Sequence, residues 1–329
     1  MPLHMNRRQC VGLLPIAATL LMSGAAIAQA QPAAGRPIRL IVPYVPGGGS
    51  DLLSRMLAPY IGEEFRTSVV VENRAGGGST IGTQAVAKAG SDGLTIGMMD
   101  AAFVANPSLM SNLPYDTLKD FAPIVLVATS PLVMVVDPAI PAQNVKEFVA
   151  YGKANPGTLS FGSAGRGTGV HLAAEQFRTQ AGLDMIHVPY KGTGEAVTAL
   201  AGGQITTLFT TQFGSKPMLD AGRVRVLGIT GTRRGKLMPQ VPTFAEAGWS
   251  GVDAETINGL VGPAGMPAES ILRVNAAVNR ALKDPALIAK LNEQGFEIVG
   301  GSPDAFAGWL RREIPKWSRV IRDAGLKAE

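Results

Sequence analysis

The sequence predicts an α/β fold with a largely parallel sheet, divided between two lobes. Three observations carry that prediction. Short apolar strands alternate with segments of helical apolar spacing, the pattern of a parallel sheet covered by crossover helices. Glycine-rich loops recur where a strand runs into a helix. Two long apolar stretches, 120–136 and 253–261, are suited to carry the chain from one lobe into the other and back.

Residues 38–42 are the first expected strand. It feeds a helix with Leu52, Leu53, Met56, Leu57 and Ile61 on one face and Pro59 placed to kink it. Residues 69–71 form the second strand, and 81–89 a helix closed by Gly90. Residues 94–99 are the third strand. Two apolar segments follow, 124–128 and 132–136, broken by Ser130-Pro131. Residues 159–161 lead to a helix marked by Val170, Ala173, Ala174, Phe177 and Ala181. Residues 186–188 lead to one marked by Ala196, Val197 and Leu200, and 205–209 and 224–229 are strands. Thr243 and Glu246 have capping-box spacing on a short helix that Gly248 ends.

Beyond Val261 the chain turns helical. A helix covers 267–282, Asp284-Pro285 opens another that Gly295 ends, and 296–299 is a strand. Ser302-Pro303 opens the last helix, with Phe306, Leu310, Ile314 and Trp317; Trp309 and Trp317 read as core. The expected division is 1–30 as a leader, 36–130 as the first part of lobe 1, 131–254 as lobe 2 and 255–329 as the return of lobe 1.

The leader is expected from Arg7-Arg8, an apolar run over 11–22, and small residues that fit cleavage near Ala28 or Ala30. The run is far shorter than the ~20 residues that span a bilayer. General secretion and twin-arginine export both remain open. Cys10, the only cysteine, falls in the leader, so the exported protein would hold together without disulfides. Removing Arg7 and Arg8 takes the formal net charge from +5 to +3. No basic block remains, which speaks against nucleic acid as a partner.

Glycine supplies 40 of 329 residues, well above the usual ~7%, and the excess sits in the loops between strands and helices. Four loops stand out: Gly47-Gly48-Gly49-Ser50, Gly76-Gly77-Gly78-Ser79, the stretch 162–169, and Gly192-Thr193-Gly194. A helix start carries unpaired N–H groups and a partial positive charge, and glycine lets an anion come close. None of the loops has a P-loop lysine or a strict dinucleotide fingerprint, which disfavours nucleotides. Ser50, Ser79, Ser163, Thr168 and Thr193 could each contact a ligand or cap a helix. Capping is the first reading for Ser50 and Ser79, and ligand contact for Ser163 and Thr168. Asp51 is expected to face the positive end of its own helix.

His171 and Glu175 are four apart, which fits either a surface pair or two metal ligands; without an evident third ligand the surface pair is expected. His187 reads as structural. The chain has no G-x-S-x-G elbow, no H-E-x-x-H and no cysteine nucleophile outside the leader. A spatial Ser/His/Asp arrangement stays open, because such triads assemble in three dimensions.

Read in order, these motifs resemble the Bug family of periplasmic solute-binding proteins, receptors of tripartite tricarboxylate transporters. The matching residues are Val42-Pro43-Tyr44-Val45-Pro46-Gly47-Gly48 with Asp51 and Arg55, then Val71-Glu72-Asn73-Arg74 and Leu113-Pro114-Tyr115-Asp116. They continue through Phe161-Gly162-Ser163, Gly167-Thr168, His171-Leu172 and His187-Val188-Pro189-Tyr190-Lys191-Gly192 to Pro263-Ala264-Gly265 with Pro267. The likeness spans nearly the whole chain after the leader.

The resemblance implies a two-lobed periplasmic-binding-protein type II fold, a Venus flytrap, whose cleft holds a small organic carboxylate. Carried onto this chain, it implicates Tyr44, Gly47, Gly48, Gly49 and Ser50, then Ala75, Gly76, Gly77 and Gly78. From the other lobe it implicates Ser163, Gly167 and Thr168, with Lys191, Gly192, Thr193 and Gly194. It implies no enzyme activity, no cofactor and no metal. The expected setting is a monomer in the periplasm, serving membrane transporter subunits or a sensor protein. Three departures keep the ligand open: Leu94 follows Gly93 where the family usually has tyrosine, Thr206, Thr207 and Thr210 stand where it often has an acid, and Asn258 stands where it often has tryptophan. The rival from another class is a secreted hydrolase or isomerase on the same scaffold, with His171 or Asp100 at work.

Overall fold

The first strand, β1 (Ile38–Val42), is β-branched and fully apolar but for Arg39, and it is buried on both faces as a central parallel strand should be. The computed structural model describes residues 35–326, so the expected leader lies outside the described residues. From β1 the chain runs through α1 (Gly49–Phe65), β2 (Val69–Asn73), α2 (Thr80–Ala87), β3 (Thr95–Met99) and α3 (Ala101–Leu109). Then come β4 (Phe121–Val136), α4 (Val145–Ala154), β5 (Leu159–Ser163), α5 (Gly169–Ala181), β6 (Met185–Pro189), α6 (Thr193–Ala201), β7 (Thr207–Thr211) and α7 (Gln212–Asp220). The remainder is β8 (Arg225–Ile229), α8 (Phe244–Ala247), β9 (Glu255–Pro263), α9 (Ala268–Ala281), α10 (Pro285–Glu293), β10 (Glu297–Ile298) and α11 (Pro303–Asp323).

The sheet is mixed rather than largely parallel. Its order is β2-β1-β3-β9-β4-β7-β5-β6, with β8 and β10 also on β4. The two outer triplets are parallel, β1 with β2 and β3, and β5 with β6 and β7. The centre is antiparallel, because β4 and β9 run against their neighbours. Ser130-Pro131 does not break β4, against expectation. It marks a change of partner: β4 pairs with β9 through Pro131 and with β7 from Leu132. A proline is tolerated where a ladder changes hands, since it has no N–H to give.

Helices cover both faces. One core joins residues of α3, α5, α11, β4, β7 and β9 and is rich in aromatic rings, including Phe103, Phe177, Phe209, Phe306 and Trp317. A second lies under α1, α9 and α10, and a third under α6 and β8. The described residues form a single compact unit. Three helices, α3, α4 and α7, lie where no helix was expected. Pro107 and Pro217 sit inside two of them and read from sequence as breakers. The capping box of α8 is present in full, with Thr243 and Glu246 bonded reciprocally.

Candidate functional site

In an open α/β sheet, ligands sit beyond the carboxyl ends of the parallel strands. Here those ends deliver six loops, each followed by a helix, and four of them are the glycine loops.

The loop after β1 is tied down from beneath. Gly47 N–H donates to Asp51 Oδ2 at 2.9 Å, and Arg55 and Asn73 bond the same carboxylate at 3.0 Å each. Burial opposes its charge, yet these bonds hold Asp51 below the usual carboxylate range. Asp51 is 2% exposed, so its charge is turned away from the loop surface. Gly48 is the N-cap of α1 and has no side chain to close it. Capping by Ser50 is excluded; its hydroxyl donates to Asn258 Oδ1 on β9 at 2.8 Å. Gly47, Gly48 and Gly49 are exposed.

The loop after β2 has four successive residues in the left-handed region: Gly76, Gly77, Gly78 and Ser79, with φ of 124°, 58°, 59° and 74°. Three are glycine because a Cβ is disfavoured there, and Ser79 is the one exception. Ser79 stands at the N-cap of α2 without bonding it, so capping fails here too. Ala75, Gly76 and Gly77 are exposed and Gly78 half-buried.

Between these loops, at the end of β3, Tyr44 donates a short hydrogen bond to Asp100 Oδ2, and Asp100 Oδ1 accepts from Ala102 N–H at 3.1 Å. Burial pushes the Asp100 carboxyl up to about 6. Burial, then the Asp100 charge, pushes the Tyr44 hydroxyl well above its ordinary value. Around this pair, the buried oxygens of Ser79, Tyr115 and Asn106 (Oδ1) lack a complete hydrogen bond. They lie close enough to interact, Ser79 with Tyr44 and Asn106 with Tyr115. Asn106 and Tyr115 were not singled out from sequence as site residues. Only the position of Asp100, directly after an apolar strand, gives them away.

On the opposite side, the loop after β5 is braced internally. Ser163 and Thr168 hydroxyls both donate to Gly165 O, at 3.2 and 2.7 Å. Ser163 Oγ also lies 2.7 Å from His187 Nε2. Gly167 N–H donates to His171 Nδ1 at 3.2 Å, which places the proton of the neutral ring on Nε2. His171 and His187 rings lie 4.3 Å apart. Burial, with the neighbouring Arg166 charge, brings His187 down to about 4; burial and the charges of His187, Arg166 and Arg178 bring His171 down to about 3.

The expected surface pair His171–Glu175 is a correction. Both side chains are buried, at 1% and 3% exposure. Helix α5 is buried all round from Gly169 to Phe177, so its polar face turns inward there. It is tolerated because Glu175 pairs with Arg178 at 2.8 Å, and Arg178 also bonds Ala324 O at 2.9 Å.

Two of the glycine loops meet. A Cβ on Gly78 would lie 3.7 Å from Arg166 O, and one on Gly167 only 2.7 Å from Leu109 Cδ1 and 3.2 Å from Asn106 Oδ1. One on Gly169 would meet Ala101 Cβ at 3.4 Å. Gly76–Gly78 and Gly167–Thr168 are thus brought together. The turn of Lys191, Gly192, Thr193 and Gly194 stands beside the second of them: Tyr190 N–H donates to Ser163 O at 2.9 Å, and Lys191 N–H to Glu195 Oε2 at 3.2 Å.

This geometry has relatives. The profile described as "Tripartite tricarboxylate transporter family receptor" matches residues 53–326. Protein BugT of Bordetella pertussis is 34% identical, over 89% of this chain and 90% of its own. A solved structure described as "R. palustris Rpa4515 with adipate" superposes with a TM-score of 0.85 at 31% identity, covering 90% of this chain and all of that one. MatC from Rhodopseudomonas palustris, described with bound malate, gives 0.79 at 28% identity, over 87% of this chain and 99% of its own. The fold is the two-lobed one of periplasmic binding proteins, and the chain belongs to the tripartite tricarboxylate transporter receptor family.

Proposed function

We propose that this protein is a periplasmic receptor that closes two lobes on a small organic carboxylate and passes it to the membrane subunits of a tripartite tricarboxylate-type transporter. The carrying observation is that the exposed Gly76–Gly78 loop faces the Gly167–Thr168 loop, while at the neighbouring Gly47–Gly49 loop the Asp51 carboxylate is held from behind by Gly47, Arg55 and Asn73. Two relatives described with adipate and malate support the ligand class. Lobe 1 is assigned to 36–130 and 255–329, and lobe 2 to 131–254. The partner change of β4 at Pro131 and the start of β9 at Glu255 support these limits. The ligand contacts are assigned to Tyr44, Gly47–Ser50, Ala75–Gly78, Ser163, Gly167, Thr168 and Lys191–Gly194. The receptor acts as a monomer after export. No helix among the described residues is long and apolar enough to cross a membrane.

Hydrolysis is disfavoured by the chemistry of the Ser163–His187 contact. Ser163 is fully buried, and His187 is too weak a base at about 4 to take its proton near neutrality. A thermal-shift screen of mono-, di- and tricarboxylates, amino acids and aromatic acids tests the function. A ligand at 100 times its Kd stabilises by about 2.7 kcal/mol. Gly48→Val and Thr168→Val are expected to weaken binding while remaining folded, since a Cβ on Gly48 meets nothing within 4 Å. Absence of any shift across the panel sinks the carboxylate reading.

A further inference from the structure

We propose that Asn258 is the ligand-orienting residue on the α1 side of the cleft, its side-chain amide donating to the bound carboxylate beside the open start of that helix. The inference rests on the carboxylate reading above and adds the side chain that decides which end of a ligand can sit there.

Asn258 is an anomaly on its strand. Leu260, two residues on, shares its face of β9 and packs into the apolar core with α1 and α9. Asn258 is only 3% exposed, yet it carries an amide on that same face. Burying an amide is unfavourable unless its groups are bonded. Its oxygen is bonded: Ser50 Oγ donates to Oδ1 at 2.8 Å. That bond fixes the orientation of the amide against the second residue of α1. Its two N–H donors make no bond to protein among the described residues.

The surroundings of the amide contain donors. The start of α1 offers the backbone N–H groups of Gly49, Ser50 and Asp51, with no side-chain cap on them. The Asp51 carboxylate, which might have filled that role, faces Gly47, Arg55 and Asn73 instead. The space over Gly48 is open, and a Cβ on Gly49 would touch the Phe296 ring at 3.5 Å, which walls one side. Free amides, the positive end of a helix and an NH₂ group that still reaches solvent make a set that accepts an anionic acceptor and excludes an ammonium group. A ligand with both groups would therefore enter with its carboxylate toward α1.

The test uses the full chain with Asn258→Asp, Asn258→Leu and Ser50→Ala, titrated with malate, adipate, succinate and citrate. Asn258→Asp keeps the shape and the Ser50 bond but replaces the donor with an acceptor. It is expected to lower affinity about tenfold or more at neutral pH for every probe that wild type binds. Relative to wild type, it should regain affinity near pH ~4, where the new carboxyl takes a proton and donates again. Asn258→Leu should lose a similar factor at both pH values, and Ser50→Ala about threefold by loosening the amide. Melting of the ligand-free variants reports their folding. Wild-type affinity in the Asp and Leu variants overturns the role of Asn258 alone. Failure of wild type to bind any of the four overturns the carboxylate reading, and this inference with it.

Discussion

Gly82 tests whether the two loops of lobe 1 are locked to each other. It lies in α2, directly behind the second glycine loop. A Cβ there would stand 2.7 Å from Pro43 Cα and 2.8 Å from Arg74 O. Both are backbone atoms, and ordinary contact begins near ~3.5 Å. Neither can swing aside as a side-chain tip would. Gly82→Ala therefore sets two effects against each other. Alanine is the better helix former by about 1 kcal/mol. Overpacking against fixed neighbours costs about 1–3 kcal/mol, and more where both neighbours are backbone. The clash wins, leaving a net loss of about 1–2 kcal/mol and a melting temperature lower by roughly 2–5 °C. Calorimetry of the ligand-free variant measures this directly. Because relief requires α2 to move away from the β1 loop, carboxylate affinity should fall as well. A variant that melts at or above the wild-type temperature would refute the tight loop-on-helix packing on which the site depends.

Other substitutions probe separate parts of the argument. Gly194 lies in the first turn of α6 with nothing within 4 Å of its Cβ position. Gly194→Ala should raise stability by about 0.4–1 kcal/mol, and any fall in carboxylate affinity would mark that turn as a ligand contact. Thr243→Ala removes one arm of the α8 capping box and should cost about 1 kcal/mol in chemical denaturation. His171 titrates at about 3 when folded against an ordinary 6.5, so the unfolded chain binds the extra proton between those values. Stability is therefore present above pH 6.5 and lost on acidification toward 3, and His171→Asn should reduce that slope by up to about 1.4 kcal/mol per pH unit. Asp100 has the opposite sign, with about 6 folded against 3.8. Its contribution is full below 3.8 and lost as pH rises through 6, so Asp100→Asn should steepen the acid loss; an unchanged pH profile in both variants refutes the two assignments.

Much of the scaffold was legible because the sequence states its strand ends in glycine. Residues 38–42 form β1 with the expected limits, the capping box at Thr243 follows the sequence pattern, and the strand expected over 253–261 appears two residues later as β9. The interior of the sheet was less legible. The partner exchange at Pro131 depends on β9, far along the chain, and no local pattern reports it. The reading of His171 and Glu175 as a surface pair failed for a similar reason. Helical spacing reports which residues share a face, and only tertiary packing decides whether that face meets water. Asp100 is named from the sequence, but its neighbours Asn106 and Tyr115 are hidden because they come from the end of a proline-bearing helix and an irregular turn.

The position of β9 has a consequence for how the chain is made. Gly97 on β3 pairs with Val261, and Leu126 on β4 pairs with Gly259. The strand that fills the middle of the sheet is therefore supplied only after all of the intervening strands and helices. Until it arrives, β3 and the first half of β4 each present an open apolar edge, the kind of edge that recruits other strands. Pairings this distant in sequence are slow to form. The segments from Leu132 to Ile229, by contrast, find their partners within their own stretch of chain. Both parallel triplets should therefore form before β9 arrives to join them, and the C-terminal third is the part a nascent chain can least afford to lose.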